Sequence, residues 1–139
     1  MKDGFYTDIA FFRCVKGFKT QFGISANPTK KHWHHEEILD DPNRHLGIQK
    51  NYLSYAGGGA NTRSTELFIA FEYQSFLGKE PWETPFGVII ESQITLDNLY
   101  KGYGEMQPFN KKGIDQQIIF LKGNHYVREI FLILIFKRI

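Results

Sequence analysis

The chain has 139 residues, a net charge of +2 and aromatic side chains at 16% of its positions. This length suits one domain with its own core, and a charged fraction of 23% is too ordinary for a disordered chain. Because Lys and Arg are scattered and the net charge is small, we expect neither a nucleic-acid nor a membrane partner.

The N-terminal residues 1–15 do not resemble a secretion signal, because Asp3 and Asp8 interrupt their apolar pattern. The compartment is therefore open, with the cytoplasm as the default. Cys14 is the one cysteine of the chain, which excludes an intramolecular disulfide and a thiolate zinc cluster. We expect it to be a buried, unreactive thiol.

Residues 9–24, IAFFRCVKGFKTQFGI, are rich in aromatic and β-branched side chains and predict two strand segments with a bend or bulge near Gly17. Arg13 and Gln21 are polar residues within these apolar segments, where an unpaired charge is costly. Each either points to solvent from a half-exposed strand or lines a groove, and the pattern alone leaves both possibilities open.

Residues 25–47 have two turn-forming proline pairs and little periodicity, which predicts a long loop. Within it, HWHHEE (residues 32–37) offers imidazole and carboxylate ligands, but without the one-turn spacing of a helical zinc site. We interpret this segment as a solvated polar loop, with metal binding as the weaker alternative. The sequence as a whole predicts no metal and no cofactor.

Residues 51–56 and 67–71 predict two strands on either side of a glycine turn at residues 57–59. The polar residues after the turn, NTRST (61–65), form either a solvated bend or the wall of a groove. The glycine run lacks the Gly-Lys-Ser/Thr ending and the following helix of a phosphate-binding loop. After a second loop, GKEPWETP (78–85), residues 86–92 predict another strand.

Towards the C-terminus, Ile94, Leu96 and Leu99 follow a helical period, with Thr95 as the predicted cap and Gly102 or Gly104 as the end. The apolar residues between 127 and 136 fit a helix and a buried strand equally well, so their type is open. This run is far shorter than the ~20 residues of a membrane-spanning helix.

Four segments together resemble a known family: FFRCVKGFKTQFGI (11–24), LSYAGGGANTRSTELFIAF (53–71), FLGKEPWETPFGVI (76–89) and GYGE (102–105). The first is similar to the F-x-R-x-x-x-G-F-x-x-Q-x-G signature of the cyclophilins, which are peptidyl-prolyl isomerases. The second resembles that family's L-S-x-A-x-x-G-x-N-T motif. The resemblance covers nearly the whole chain.

The resemblance implies a mainly β fold, a cyclophilin-like antiparallel β-barrel with capping helices, formed by residues 1–139 as a single domain. It also implies that the family's first two strands and first helix are missing from this chain. Residues 128–139 depart from the family and are expected to form a divergent tail.

Position by position, the resemblance makes Arg13 the catalytic arginine, with Phe18 and Gln21 beside it. The substrate-binding positions that it implies are Ala56, Gly57, Glu66, Phe68, Phe76, Leu77 and Trp82. Lys19 stands where the family has a methionine, Gly57 where it has an asparagine, and Glu66 where it has a glutamine.

The implied activity is cis-trans isomerisation of X-Pro bonds in protein folding. Proline-containing peptides and unfolded proteins are the expected substrates, and cyclosporin-like compounds are possible ligands. We expect Glu66 to pair with Arg13 and thereby lower the activity. The alternatives are a proline-peptide binding module with little turnover and a non-functional fragment with exposed sheet edges.

Overall fold

The computed structural model describes residues 3–42, 46–91 and 93–131, and its central feature is a five-stranded antiparallel sheet. In chain order, the strands are β1 (Arg13–Cys14), β2 (Lys19–Phe22), β3 (Tyr52–Tyr55), β4 (Leu67–Ala70) and β5 (Gly87–Val88). They lie side by side in the order β1-β2-β4-β3-β5. The sequence predicted all five positions, although β5 is shorter than the seven residues expected.

The β1–β2 hairpin pairs Arg13 with Gln21 and Cys14 with Thr20. The connecting turn contains Gly17 at a φ of +70°, a conformation that glycine adopts without steric cost. The predicted bend at Gly17 is thus confirmed, and it is the turn of a hairpin.

Alternation along the strands separates two faces of the sheet. Phe22, Leu67 and Ile69 enter one apolar cluster, together with Cys14. Phe68 and Ala70, which alternate with Leu67 and Ile69 along β4, belong to a different cluster on the other face. The sheet therefore has an inner face that packs on the main core and an outer face that carries Arg13, Lys19 and Gln21.

The described part of the chain also contains three α-helices and two 3₁₀ helices. They are α1 (Gln93–Asp97), α2 (Gln116–Lys122) and α3 (Asn124–Ile130), with 3₁₀ helices at Pro28–His35 and Pro81–Glu83. The side chain of Asp115 caps α2 by accepting hydrogen bonds from the amides of Gln117 and Ile118. Helices α2 and α3 bury Ile119, Tyr126 and Val127 in a second core cluster.

The helices correct three sequence predictions. The predicted long loop contains the 3₁₀ helix Pro28–His35, which Asn27 caps through a hydrogen bond from the amide of Thr29 to its side-chain oxygen. Thr95 lies inside α1 and does not cap it, and α1 ends at Asp97, before Gly102. The segment around Val127 is helical as far as Ile130, whereas residues 132–139, which hold most of the expected divergent tail, lie outside the described residues.

The edge strands β1 and β5 do not pair with each other within residues 3–42, 46–91 and 93–131. The mainly antiparallel β architecture with a few helices is confirmed, but this part of the chain forms an open sheet rather than the closed barrel that was expected. Within the described residues, no helix has the length and apolarity to cross a membrane.

Candidate active site

The β1–β2 pairing places two predicted site residues side by side. Arg13 and Gln21 are directly opposite each other in the hairpin, and Nη1 of Arg13 donates a hydrogen bond of 3.1 Å to Oε1 of Gln21. The amide of Gln21 is buried, so this contact fixes its orientation. Arg13 and Gln21, for which the strand pattern alone left two possibilities open, are thus hydrogen-bonded to each other on the outer face.

Glu66, just before β4, is separated from Arg13 by the side chain of Gln21. Its Oε2 accepts a 2.8 Å hydrogen bond from Nε2 of Gln21, and its Oε1 accepts one of 2.6 Å from Nε2 of Gln116. The expected direct pair between Glu66 and Arg13 is therefore wrong, because Gln21 stands between them. Burial raises the pKa of the Glu66 carboxyl, and the two amide hydrogen bonds oppose that shift.

Glu105 is the carboxylate that pairs with Arg13. Its Oε1 lies 2.6 Å from Nε of Arg13, and its Oε2 accepts a 2.8 Å hydrogen bond from Nη2. An isolated bridge between Cys14 and Gly104 holds this loop against β1. Both terminal nitrogens of Arg13 therefore donate hydrogen bonds within the chain, and its Nε is in ion-pair contact with Glu105 without a hydrogen bond of its own. The sequence analysis quoted Glu105 in the GYGE segment but gave it no role.

Lys19 fills the space between two predicted pocket rings. Its ammonium lies 5.1 Å from the centroid of Phe18 and 4.4 Å from that of Phe68, and the residue is only 8% exposed. Burial lowers the pKa of Lys19 to about 8, assisted by the charge of Arg13, while nearby carboxylates oppose the shift. The sequence analysis named Lys19 as the replacement of the family's methionine, and the period of two along β2 puts it on the same face as Gln21.

An apolar patch lies next to these charges. Phe68 is 1% exposed and packs with Ile48, Ala70 and Leu77, while Phe18 and Ala56 flank the cluster. The Phe18 ring also lies 5.6 Å from that of Phe76, which is largely exposed. The structure thus brings five predicted positions to one place: Phe18, Ala56, Phe68, Phe76 and Leu77.

Gly57 and Trp82 form a separate contact. A Cβ on Gly57 would lie 3.0 Å from the Cβ of Trp82, so a larger residue at 57 would displace the tryptophan. Among the described contacts, none joins Gly57 or Trp82 to Arg13. Beyond them, Gly58 and Gly59 have open space where a Cβ would be, so no neighbouring protein atom requires glycine at either position.

The polar segment 61–65 has a structural role. Arg63 is 2% exposed, and its Nη1 donates a 2.8 Å hydrogen bond to Oδ2 of Asp41, while its Nε lies 3.5 Å from Oδ1 of Asp40. Its guanidinium also stacks 4.9 Å from the ring centroid of Tyr55. Arg63 therefore anchors the segment around Asp40 to the sheet. Of the predicted groove wall, Glu66 and the glycines remain as candidates.

The HWHHEE segment is not a solvated loop at every position. The His34 ring packs 4.2 Å from that of Phe120 on α2, and its Nδ1 lies 3.8 Å from Oε1 of Glu66. Burial lowers the pKa of His34, which favours the neutral imidazole. His34 thus belongs to the packing behind Glu66.

A sequence model described as "Cyclophilin type peptidyl-prolyl cis-trans isomerase/CLD" matches residues 1–118. The chain belongs to the cyclophilin family. The match spans both hairpin strands around Arg13, the glycine turn and the loop of Glu105, so the resemblance noted in the sequence is confirmed.

Curated relatives of this cyclophilin include a peptidyl-prolyl cis-trans isomerase-like 2 of Neurospora crassa, 30% identical over 127 residues, which are 85% of this chain and 20% of the relative. A peptidyl-prolyl cis-trans isomerase of Helicobacter pylori is 31% identical over 106 residues, 73% of this chain and 62% of the relative. The cyclophilin therefore spans about a fifth of the fungal protein and less than two thirds of the bacterial one.

The fold is also similar to a solved cyclophilin-type isomerase of Cryptosporidium parvum. One of its crystal structures, determined in the presence of the dipeptide Ala-Pro, superposes with a TM-score of 0.53 at 23% identity, covering 70% of this chain and 65% of that one. A second structure gives a TM-score of 0.54 at 24% identity. These likenesses establish the fold.

Proposed function

We propose that this cyclophilin accelerates cis-trans isomerisation of X-Pro bonds, with proline-containing peptides and unfolded proteins as substrates. The observation that carries the proposal is the position of the Arg13 guanidinium, 5.5 Å from the centroid of the Phe18 ring on the outer face of the sheet. A cation beside an apolar ring matches the two parts of a prolyl amide, its nitrogen and its pyrrolidine ring.

The reaction breaks no bond, since its barrier of ~18–20 kcal/mol comes from amide resonance. As the bond twists, the proline nitrogen loses its conjugation and becomes basic. Arg13 stabilises this form by donating a hydrogen bond, because a guanidinium keeps its protons. Phe18 and Phe68 hold the pyrrolidine ring, the exposed Phe76 lies beside Phe18, and Gln21 orients Arg13. Only binding that strengthens in the twisted state accelerates the rotation.

Two contacts of this chain favour a slow enzyme. Glu105 contacts Nε and Nη2 of Arg13, and the Lys19 ammonium lies against the rings of Phe18 and Phe68. A substrate has to displace both contacts before the proline reaches Phe68. The same contacts support the second candidate function, a module that binds proline peptides with little turnover.

The experiment is NMR exchange spectroscopy on an Ala-Pro peptide with catalytic amounts of the parent chain and of Arg13→Ala. Acceleration by the parent that is lost in the variant supports the isomerase. Peptide shifts that depend on the parent, without faster exchange, support the binding module. A folded parent that neither binds nor accelerates overturns both.

A further inference from the structure

A cavity of 510 Å³ lies on the inner face of the sheet, away from the candidate active site. Leu67 and Tyr55 line it, whereas the neighbouring Phe68 and Ser54 alternate to the opposite face. Five aromatic side chains dominate its wall: Phe5, Tyr6, Trp33, Tyr55 and Phe86. We name it the aromatic cavity. Its volume falls within the range of small-molecule sites.

The polar tips of two of these rings already have partners in the protein. The Tyr6 hydroxyl donates a 2.7 Å hydrogen bond to the carbonyl oxygen of Thr65, and the Trp33 indole donates one of 2.7 Å to Oδ2 of Asp3. What these rings offer to a ligand is therefore their π-faces, apart from the face of Tyr55 that the Arg63 guanidinium covers at 4.9 Å from the centroid. The negative face of an aromatic ring attracts a cation, most strongly at Trp and Tyr.

The ionised groups of the wall point to the same ligand charge. Among the described lining residues, Asp3 and Glu36 have carboxyl side chains and none has a basic side chain. The ammonium of Lys30 donates to the backbone carbonyl of Asp3 and offsets part of that charge, while Glu36 forms no ion pair with the described residues. An organic anion would face repulsion at this wall.

We propose that the aromatic cavity binds a small organic cation, of the arylalkylamine or quaternary ammonium class. The rings bury its apolar part and contact its charge, and the carboxylates of Asp3 and Glu36 favour that charge over a neutral or negative group. The site is independent of the proposed isomerase activity, because it uses none of the residues around Arg13.

The two tryptophans of the chain make the test specific, since Trp33 lines the aromatic cavity and Trp82 packs on Gly57. We would titrate the parent chain with 3-phenylpropylamine, 3-phenylpropanol and 3-phenylpropanoate at pH 7, following the two indole N–H signals by NMR. Trp82→Phe assigns the signals. Glu36→Gln removes one carboxylate of the wall, and Glu37→Gln is the matched control, because Glu37 does not line the cavity.

The expected result is a saturable shift of the Trp33 signal, with the amine binding about fivefold more tightly than the alcohol and the acid most weakly. Glu36→Gln should reduce the preference for the amine, and Glu37→Gln should not. Equal or tighter binding of the acid overturns the proposal. So does a Trp33 signal that none of the three probes moves in a chain whose signals are dispersed as in a folded protein.

Discussion

The Lys19 ammonium lies 4.4 Å from the centroid of the Phe68 ring, at the position where the family resemblance implies a methionine. A thioether in that place would extend the apolar floor of the groove, whereas the ammonium brings a charge that has lost most of its hydration. The ring of Phe68 and that of Phe18 compensate this loss in part. Under the proposed function, Lys19 would therefore compete with a substrate's proline ring for the faces of Phe18 and Phe68.

Replacing Lys19 with Met should strengthen proline-peptide binding. Loss of the cation–π contacts frees the two rings, and we expect the peptide Kd to fall by about fivefold. The measurement is a titration of an Ala-Pro peptide by NMR. Lys16→Met serves as the control, since Lys16 is exposed in the same hairpin. An unchanged peptide Kd in Lys19→Met would contradict the prediction, because it would show that the Lys19 ammonium does not oppose peptide binding.

The same competition predicts a pH dependence. Since the pKa of Lys19 is about 8, its amine becomes neutral between pH 7 and pH 9, and the peptide Kd of the parent should fall over that range. Folding stability should also rise from about pH 8 towards pH 10, because an unfolded lysine, with a pKa of about 10.4, binds more protons there than the folded one. Both trends should be absent from Lys19→Met, as measured by titration and by urea unfolding at several pH values.

Glu105→Gln should raise kcat/KM for X-Pro rotation. The carboxylate neutralises the Arg13 guanidinium at 2.6 Å, so its removal leaves more positive potential for the twisted amide. We expect a gain of about threefold to tenfold, from kinetics of a Xaa-Pro peptide. Glu91→Gln, at an exposed position, is the control for a general charge effect. A loss of activity in Glu105→Gln would instead identify Glu105 as the residue that positions Arg13.

Glu66→Gln should change stability more than activity. Because the folded pKa of Glu66 is raised, the folded chain binds more protons than the unfolded one above pH 4.5, and this contribution to stability is lost as the pH rises through the folded pKa. The variant should lack that loss in urea unfolding curves recorded from pH 4 to pH 8. Its kcat/KM should stay within about twofold of the parent, because Glu66 contacts Gln21 and not Arg13.

Arg63→Ala should be destabilising by about 2–4 kcal/mol, because it removes a buried guanidinium that donates to Asp41 and stacks on Tyr55, and it leaves a cavity in its place. Chemical denaturation provides the measurement. Lys50→Ala, at an exposed position, should have little effect. Equal stability of the two variants would contradict the anchoring role of Arg63.

The sequence predicted what depends on neighbours along the chain. Alternating apolar residues identified the strands, and the motif around Arg13 and Gln21 placed both in one site. The partners of the site's charged residues are distant in sequence. Glu105 is 92 positions from Arg13, and Gln116 is 50 positions from Glu66. Nothing in a local pattern reports such a pairing, so the expected partner of Arg13 was the wrong carboxylate. The 3₁₀ helix Pro28–His35 was missed because its side chains do not follow the α-helical period.

Cys14 occupies the residue next to Arg13 in a strand of two residues, but on the inner face, where burial raises the pKa of its thiol. A thiol reagent reaches it only when β1 separates from its neighbours. The rate at which the single cysteine is labelled therefore reports how often the strand that holds Arg13 opens in the native state. Cys14 is therefore a natural probe of local opening, one residue away from the guanidinium to which we assign the proposed chemistry.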